Sequence, residues 1–243
     1  MIKRILLPLL RAVLLGAMAA MLLLRLLDGT ITWYINARFV PLTVMAVLFL
    51  LVMTVVSLVE VFRRLKDRTT TEKIPVWGLI LLAVPLLMGW GVQANPLSAA
   101  ALDTRGFNLG APSSLVAGQS SSGLETNPDA LSILDWVQVA QTQATVGQTY
   151  PQEANVIGFV YHSDEFPAQT FMVSRFVVTC CAADAFPIGM LVSWPGGADL
   201  ADDTWVQVQG PVSVAELDGY PLPLIEALHA QRVDAPEQPY LFP

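Results

Sequence analysis

Three apolar runs set the limits on what this chain can fold into: residues 5–27, 39–62 and 76–92. The hydrocarbon core of a bilayer takes roughly 17–25 helical residues to cross. The first two runs are long enough and the third is just adequate. Over the whole chain 54% of residues are hydrophobic and only 14% are charged, a balance too apolar for an ordinary soluble domain. Lys3 and Arg4 ahead of the first run also suit a signal peptide. A long apolar core with no small-residue cleavage site before the second run favours an anchor instead.

Charge orients the spans. The segment RRLKDRTTTEK, residues 63–73, holds five Lys/Arg and two acids, and the positive-inside rule places it in the cytoplasm. With three spans the N-terminus is then cytoplasmic, and everything after Val92 is outside. Arg25 and Arg38, which flank the outer loop, pull weakly the other way. Trp33, Tyr34, Trp77 and Trp90 fall near span ends, where aromatic rings favour the headgroup layer. Arg11, about two turns into the first span, reaches the interface by snorkelling; the alternative is contact with a partner's carboxylate or a lipid phosphate. Glu60 is the only acid in the three runs. Spans this poor in polar groups cannot line a solute pathway alone, so the chain reads as a multi-pass plasma-membrane subunit rather than a complete transporter.

The charge balance then reverses. Residues 1–93 carry ten Lys/Arg against four acids, whereas residues 94–243 carry three Arg, no Lys and sixteen acids. An acidic, lysine-free half has the wrong sign for nucleic acid, where neutralising phosphates supplies much of the affinity. Residues 94–127, rich in Gly, Ser and Ala without period, read as a flexible linker. Residues 127–141, NPDALSILDWVQVAQ, read as a helix capped by Asn127, with Pro128 in its first turn and Asp129 at the positive dipole end. Its apolar face, Leu131, Leu134, Trp136 and Val137, is expected to pack on the domain that follows. Five strand-length segments come next, at 156–162, 170–180, 188–194, 204–214 and 222–233. The expected fold is therefore a membrane-anchored α + β chain: a transmembrane region over 1–93, a linker, and an extracytoplasmic helix plus β domain over 128–243. Five strands in so short a span suit a small OB-like β-barrel or a β-sandwich.

The chain's two cysteines are neighbours, Cys180 and Cys181, in RFVVTCCAADAFPIG. Their α-carbons are about 3.8 Å apart across a trans peptide, whereas disulfides usually need about 4.4–6.8 Å, so a bridge between them would be strained. A regular strand would also point the two sulfurs to opposite faces. They meet one ion only if the strand breaks, which the turn residues after them permit. Thiolates suit zinc or cuprous copper, and Asp184 adds an oxygen. His162, with Asp164 or Glu165 in the turn between the first two strands, could complete a four-ligand shell. The spacing matches no familiar zinc motif. The competing reading is two small buried thiols, with Asp184 capping the turn; free thiols outside the cell tend to oxidise, which argues for a use. His229 is expected to be a surface or packing residue. No Gly-rich phosphate loop or serine nucleophile elbow is present, and no enzymatic role is expected.

The C-terminal stretches GFVYHSDEFPAQTFMVSRFVVTCCAADAFPIGMLVSW, DTWVQVQGPV and PEQPYLFP resemble the small subunits of a two-component permease family. The resemblance covers about residues 150–243 closely and the membrane half in outline. It implies a signature RFxxxCCxADAxPxG, falling here on Arg175, Cys180, Cys181, Asp184, Pro187 and Gly189, and a larger multi-spanning permease encoded alongside. Some members of that family are associated with zinc homeostasis. Three functions stay open: an accessory subunit whose outer domain binds a divalent metal, an outer-face thiol-redox protein, and a purely structural assembly subunit.

Overall fold

The computed structural model describes residues 2–66, 76–92, 94–105, 131–146, 153–217 and 219–242. It divides into two compact units, Met1–Asn95 and Pro96–Pro243.

The first unit is helical: α1 (Ile2–Leu27), α2 (Val40–Lys66) and α3 (Val76–Gly91). Two stretches, Ile5–Leu27 and Ala37–Lys66, are long and apolar enough to cross a membrane. Helix α3 has 16 residues, about 24 Å at 1.5 Å per residue, shorter than the roughly 30 Å hydrocarbon core. Helix α1 packs against both of the others. Its approach to α3 is close enough that a Cβ on Gly89 would lie 2.5 Å from Met21 Sδ, the use membrane helices make of small residues. Thr54 Oγ1 donates to the Leu50 carbonyl at 2.8 Å, which keeps that hydroxyl satisfied within apolar surroundings. Between α1 and α2 the chain turns through Gly29 at φ 75°, and Asn36 Oδ1 accepts from the Arg38 amide at 3.0 Å. Glu60 pairs with Arg64 one turn on, so the acid seen in the second run is neutralised locally. Most of the basic segment 63–73 lies outside the described residues.

The second unit contains α4 (Ala99–Arg105), α5 (Ile133–Val146) and strands β1 (Glu153–Tyr161), β2 (Thr170–Val177), β3 (Phe186–Ser193), β4 (Trp205–Leu217), β5 (Tyr220–Glu226), β6 (His229–Arg232) and β7 (Tyr240–Leu241). The start of α5 differs from expectation. Ser132 and Asp135 cap each other reciprocally: the Ser132 amide and hydroxyl donate to Asp135 Oδ2, and the Asp135 amide donates to Ser132 Oγ. A serine with an acid three residues on is a capping box, so the described helix begins there; Asn127, Pro128 and Asp129 lie outside the described residues. The buried face is broader than the expected four residues, because Ile133 and Ala140 join Trp136, Leu134 and Val137. It packs on the sheet, as its apolar spacing requires: Trp136 is fully buried in one core with Val160, Phe171, Val173, Met190, Val206 and Ile225.

All seven strands belong to a single mixed sheet rather than the two facing sheets of a sandwich. Pairing runs β1–β2–β3–β5–β4, and β4 pairs again with β1 from Trp205–Phe159 to Pro211–Glu153. The β3–β5 pairing is parallel and the others on this path are antiparallel. Strand β6 extends along β4, and β7 lies parallel to β2. Alternation in β4 follows the sequence pattern: Val206 and Val208 are fully buried while Gln209 is exposed.

Two expectations are corrected here. The single fifth strand over 222–233 is two strands, broken where the Ala227 amide donates to Ser193 and the Leu228 amide donates to Gln209. At this break the chain leaves the edge of β3 and follows β4 alone. The flexible linker over 94–127 is not free at its beginning. Residues 97–105 are held to the second unit by hydrogen bonds to Tyr240, Asp203, Tyr161 and the 182–185 turn, with Leu102 only 1% exposed. Residues 106–127 lie outside the described residues.

Candidate functional site

Strand β2 gives out at Val177. The next amide, Val178, donates to Leu241 of β7 at 2.9 Å, and Thr179 opens a turn that closes as a short 3-10 segment, Ala182–Asp184. Asp184 organises this turn. Its Oδ1 accepts from the Thr179 amide at 3.2 Å and the Cys181 amide at 3.4 Å. Its Oδ2 accepts from the Cys180 amide at 2.7 Å and from the Thr179 hydroxyl. These four donors engage both oxygens of the carboxylate. Burial disfavours the charged form, but the hydrogen bonds from Cys180, Thr179 and Cys181 outweigh it and hold the Asp184 carboxyl at about 2.

The strand break brings the two thiols to one side. Cys180 Sγ lies 3.6 Å from Cys181 Sγ, and both cysteines are free. Donor atoms of Cys180, Cys181 and Asp184 all lie within 4.8 Å of one another. Two sulfurs bound at about 2.3 Å to one tetrahedral zinc sit roughly 3.8 Å apart, so the thiols are already near chelating separation. The hydrogen bond with the Asp184 carboxylate, then that with Cys181, pushes the Cys180 thiol up to about 11, so Cys180 carries its proton at neutral pH. A nucleophilic cysteine needs the opposite shift. A cation, by contrast, displaces the proton when it binds and deprotonates the thiol outright.

The remaining expected ligands are elsewhere. His162 and Glu165 are not in the three-residue group. His162 Nδ1 faces Asp202 Oδ1 at 2.8 Å and Nε2 faces the Gly197 carbonyl at 3.2 Å. Both ring nitrogens thus face partners in the 197–202 loop, which ties the ring there, outside the cysteine turn. The Glu165 amide donates to Ser163 Oγ at 3.3 Å in an exposed turn. His229, expected at the surface, is exposed on β6 beside Gln207, Gln209 and Gln231.

Arg175 packs rather than pairing with an acid. It donates through Nε to the Pro239 carbonyl at 3.1 Å and through Nη2 to the Gln238 carbonyl, and its guanidinium lies 5.8 Å from the Trp205 ring. Burial lowers its pKa to about 10, still far above neutrality, so the charge is kept. Its role is to fasten the tail that carries β7 beside β2. Pro187 opens β3 opposite Phe176, and Gly189 faces Ser174, where a Cβ would lie 2.5 Å from Met172 Cγ. These three positions build the walls behind the turn, not the turn itself.

Two contributors were missed. Thr179 supplies two of the four donors to Asp184; a threonine just before the cysteine pair was the available signal. Arg105 reaches the other side of the turn, donating to the Ala185 carbonyl at 2.6 Å and the Ala182 carbonyl at 3.2 Å. It fell within the expected linker, although an isolated arginine in a lysine-free acidic half was visible.

Comparison with known proteins covers both units. Residues 10–108 match the DUF1980 N-terminal domain and residues 131–243 match the DUF1980 C-terminal domain. A Streptococcus mutans serotype c protein, provisionally named a two-component membrane permease complex subunit, is 22% identical over 89% of this chain and 92% of its own length. The Bacillus subtilis UPF0703 protein YcgQ is 28% identical over 35% of this chain; that match spans 30% of YcgQ.

Proposed function

Since the chain belongs to the DUF1980 family, carrying its N- and C-terminal domains in order, we propose that it is the accessory subunit of a two-component membrane permease. The relative that aligns over nearly the whole chain bears that name. The helical unit docks on a larger multi-spanning subunit and on lipid. The apolar faces of α2 support this, with Leu42, Met45, Phe49, Val52 and Phe62 more than half exposed. The third helix completes a three-span topology, and the basic 63–73 segment supports a cytoplasmic N-terminus with the second unit outside. The return of β4 onto β1 around a parallel β3–β5 pair favours the OB-like reading of that unit.

In this reading the outer unit receives a thiophilic divalent cation such as zinc on its way to or from the larger subunit. The carrying observation is the convergence of two free sulfurs 3.6 Å apart on an accessible turn. Cys180 and Cys181 are the primary ligands. Asp184 holds them in place, and joins the ion only by releasing one of its turn contacts. Two or three protein donors leave coordination positions open, as a handover site requires and a closed structural site does not. His162 and Glu165 take no part. The Asp184 hydrogen-bond set favours one competitor, a purely structural capped turn, but the small buried thiols that reading expected are not found: Cys180 is exposed and Cys181 half-buried. The raised Cys180 thiol disfavours thiol-redox chemistry.

Purified, reduced full-length protein is expected to bind about one Zn(II) or Co(II), with a sulfur-to-cobalt charge-transfer band. Affinity should rise with pH, because the ion must displace thiol protons. The Cys180→Ser, Cys181→Ser double variant should lose binding. Reduced wild type that binds neither ion removes the metal from the function and leaves the structural alternative.

A further inference from the structure

The acidic half has three arginines, Arg105, Arg175 and Arg232, among sixteen acids. None of them forms an ion pair among the described residues. Each instead donates to main-chain carbonyls: Arg175 to Gln238 and Pro239, Arg232 to Asp199 at 3.4 Å, and Arg105 to Ala182 and Ala185. Arginine is suited to this because its planar fork presents fixed, divergent donors that an ammonium lacks. In this unit, then, arginine fastens backbone carbonyls that lie outside the strands.

The Arg105 staple closes on the cysteine turn. The two carbonyls it holds bracket the 3-10 segment Ala182–Asp184, which is closed by the Asp184 amide donating to Cys181 at 3.0 Å and by a longer bond, 3.4 Å, from the Ala185 amide to Ala182. Asp184 ties the turn's amides from inside, and Arg105 ties its carbonyls from outside. The arginine is itself anchored. Helix α4 is fixed by the Leu97 amide donating to the Tyr240 hydroxyl at 2.8 Å, the Ala99 amide donating to Asp203, and the Tyr161 hydroxyl donating to Asp103 at 3.0 Å. Tyr240 lies on β7, the strand that Arg175 fastens beside β2. The turn is thus held from both ends by the segment immediately following the first unit and by the C-terminal tail.

We propose that Arg105 is the positioning residue of the cysteine turn: by holding the Ala182 and Ala185 carbonyls it keeps the Cys180 and Cys181 sulfurs at chelating separation. That a metal ion uses this separation rests on the function proposed above; the positioning does not. The test therefore uses a probe that needs two close thiols but no metal site. Phenylarsine oxide forms two As–S bonds with a pair of thiols and releases one water, whereas iodoacetamide alkylates a single thiol and releases iodide. On reduced full-length protein, Arg105→Ala should weaken phenylarsine oxide binding about tenfold, with the circular-dichroism spectrum and the iodoacetamide rates at both cysteines unchanged. Arg105→Lys should recover only part of the loss. Unchanged arsenical affinity in Arg105→Ala overturns the proposal, and so does a loss matched by an equal change in iodoacetamide rates. If Arg105→Ala does not fold, Arg105→Gln, which retains one donor fork at shorter reach, is judged by the same two reagents. Wild type that binds no Co(II) while the arsenical contrast persists removes the proposed metal and leaves the positioning role intact.

Discussion

Asp184 and Tyr161 show how single side chains set the chemistry of the second unit. Asp184 spends its carboxylate on four donors of one turn, and the raised Cys180 thiol follows from that charge. The sequence showed the residue types but not this division of labour: a carboxylate four positions after a cysteine reads equally as ligand or cap, and only the hydrogen-bond directions separate them. Tyr161 is the counterpart on the α4 side. Burial, then the hydrogen bond to Asp103, raises its phenol to about 12. Because the folded value lies above the ordinary value of about 10, the stabilising contribution is complete below pH 10 and is lost as pH rises through 12. Absorbance titration near 295 nm should show one phenol ionising near 12 that is missing in Tyr161→Phe. A Tyr161 that ionises near 10 contradicts the docking of α4.

At the scale of elements, what was legible followed from periodicity, and what was not followed from long-range contact. The strands emerged at their expected places because β-branched and aromatic residues alternate within them, as in Val206 and Val208 against Gln207 and Gln209. The two-residue β7 was invisible, since its pairing partner is some sixty residues upstream in β2. The docking of α4 was invisible for the same reason: AAALDTR is too short to fold alone, and its partners at 161, 203 and 240 are not sequence neighbours. The β5–β6 break has a local cause that composition conceals. Gly210 sits where β4 passes from one strand to the other, and a Cβ there would lie 2.2 Å from the Glu226 carbonyl oxygen, a backbone atom that cannot swing aside. Gly210→Ala is expected to cost about 1–3 kcal/mol, as overpacking does, read as a lower denaturation midpoint of the second unit. An unchanged midpoint would mean that the β5–β6 crossing is not pinned at this glycine.

The charge reversal at about residue 93 acts on the whole molecule. In the proposed topology the weight of this reversal lies in its Lys/Arg count, ten in residues 1–93 against three in residues 94–243, because acids count for little in the positive-inside rule. An even number of crossings would instead leave the acidic unit on the same side as the N-terminus, so the count of spans and the location of the cysteine turn are one question. Two helices pass on length, whereas α3 at 16 residues falls short unless the flanking Trp77 and Trp90 sit in the headgroup layers and the bilayer thins to meet them. Both tryptophans are strongly exposed on α3, consistent with such anchoring. The native thiols are poor reporters, because the raised Cys180 pKa slows its reaction. A single cysteine introduced by Asp234→Cys, at an exposed site away from the turn, in a background of Cys180→Ser and Cys181→Ser, reports location cleanly. A membrane-impermeant maleimide should label it in intact cells as fully as after lysis. Labelling only after lysis means two crossings, with α3 lying along the membrane or against a partner, and moves the cation site to the cytoplasm.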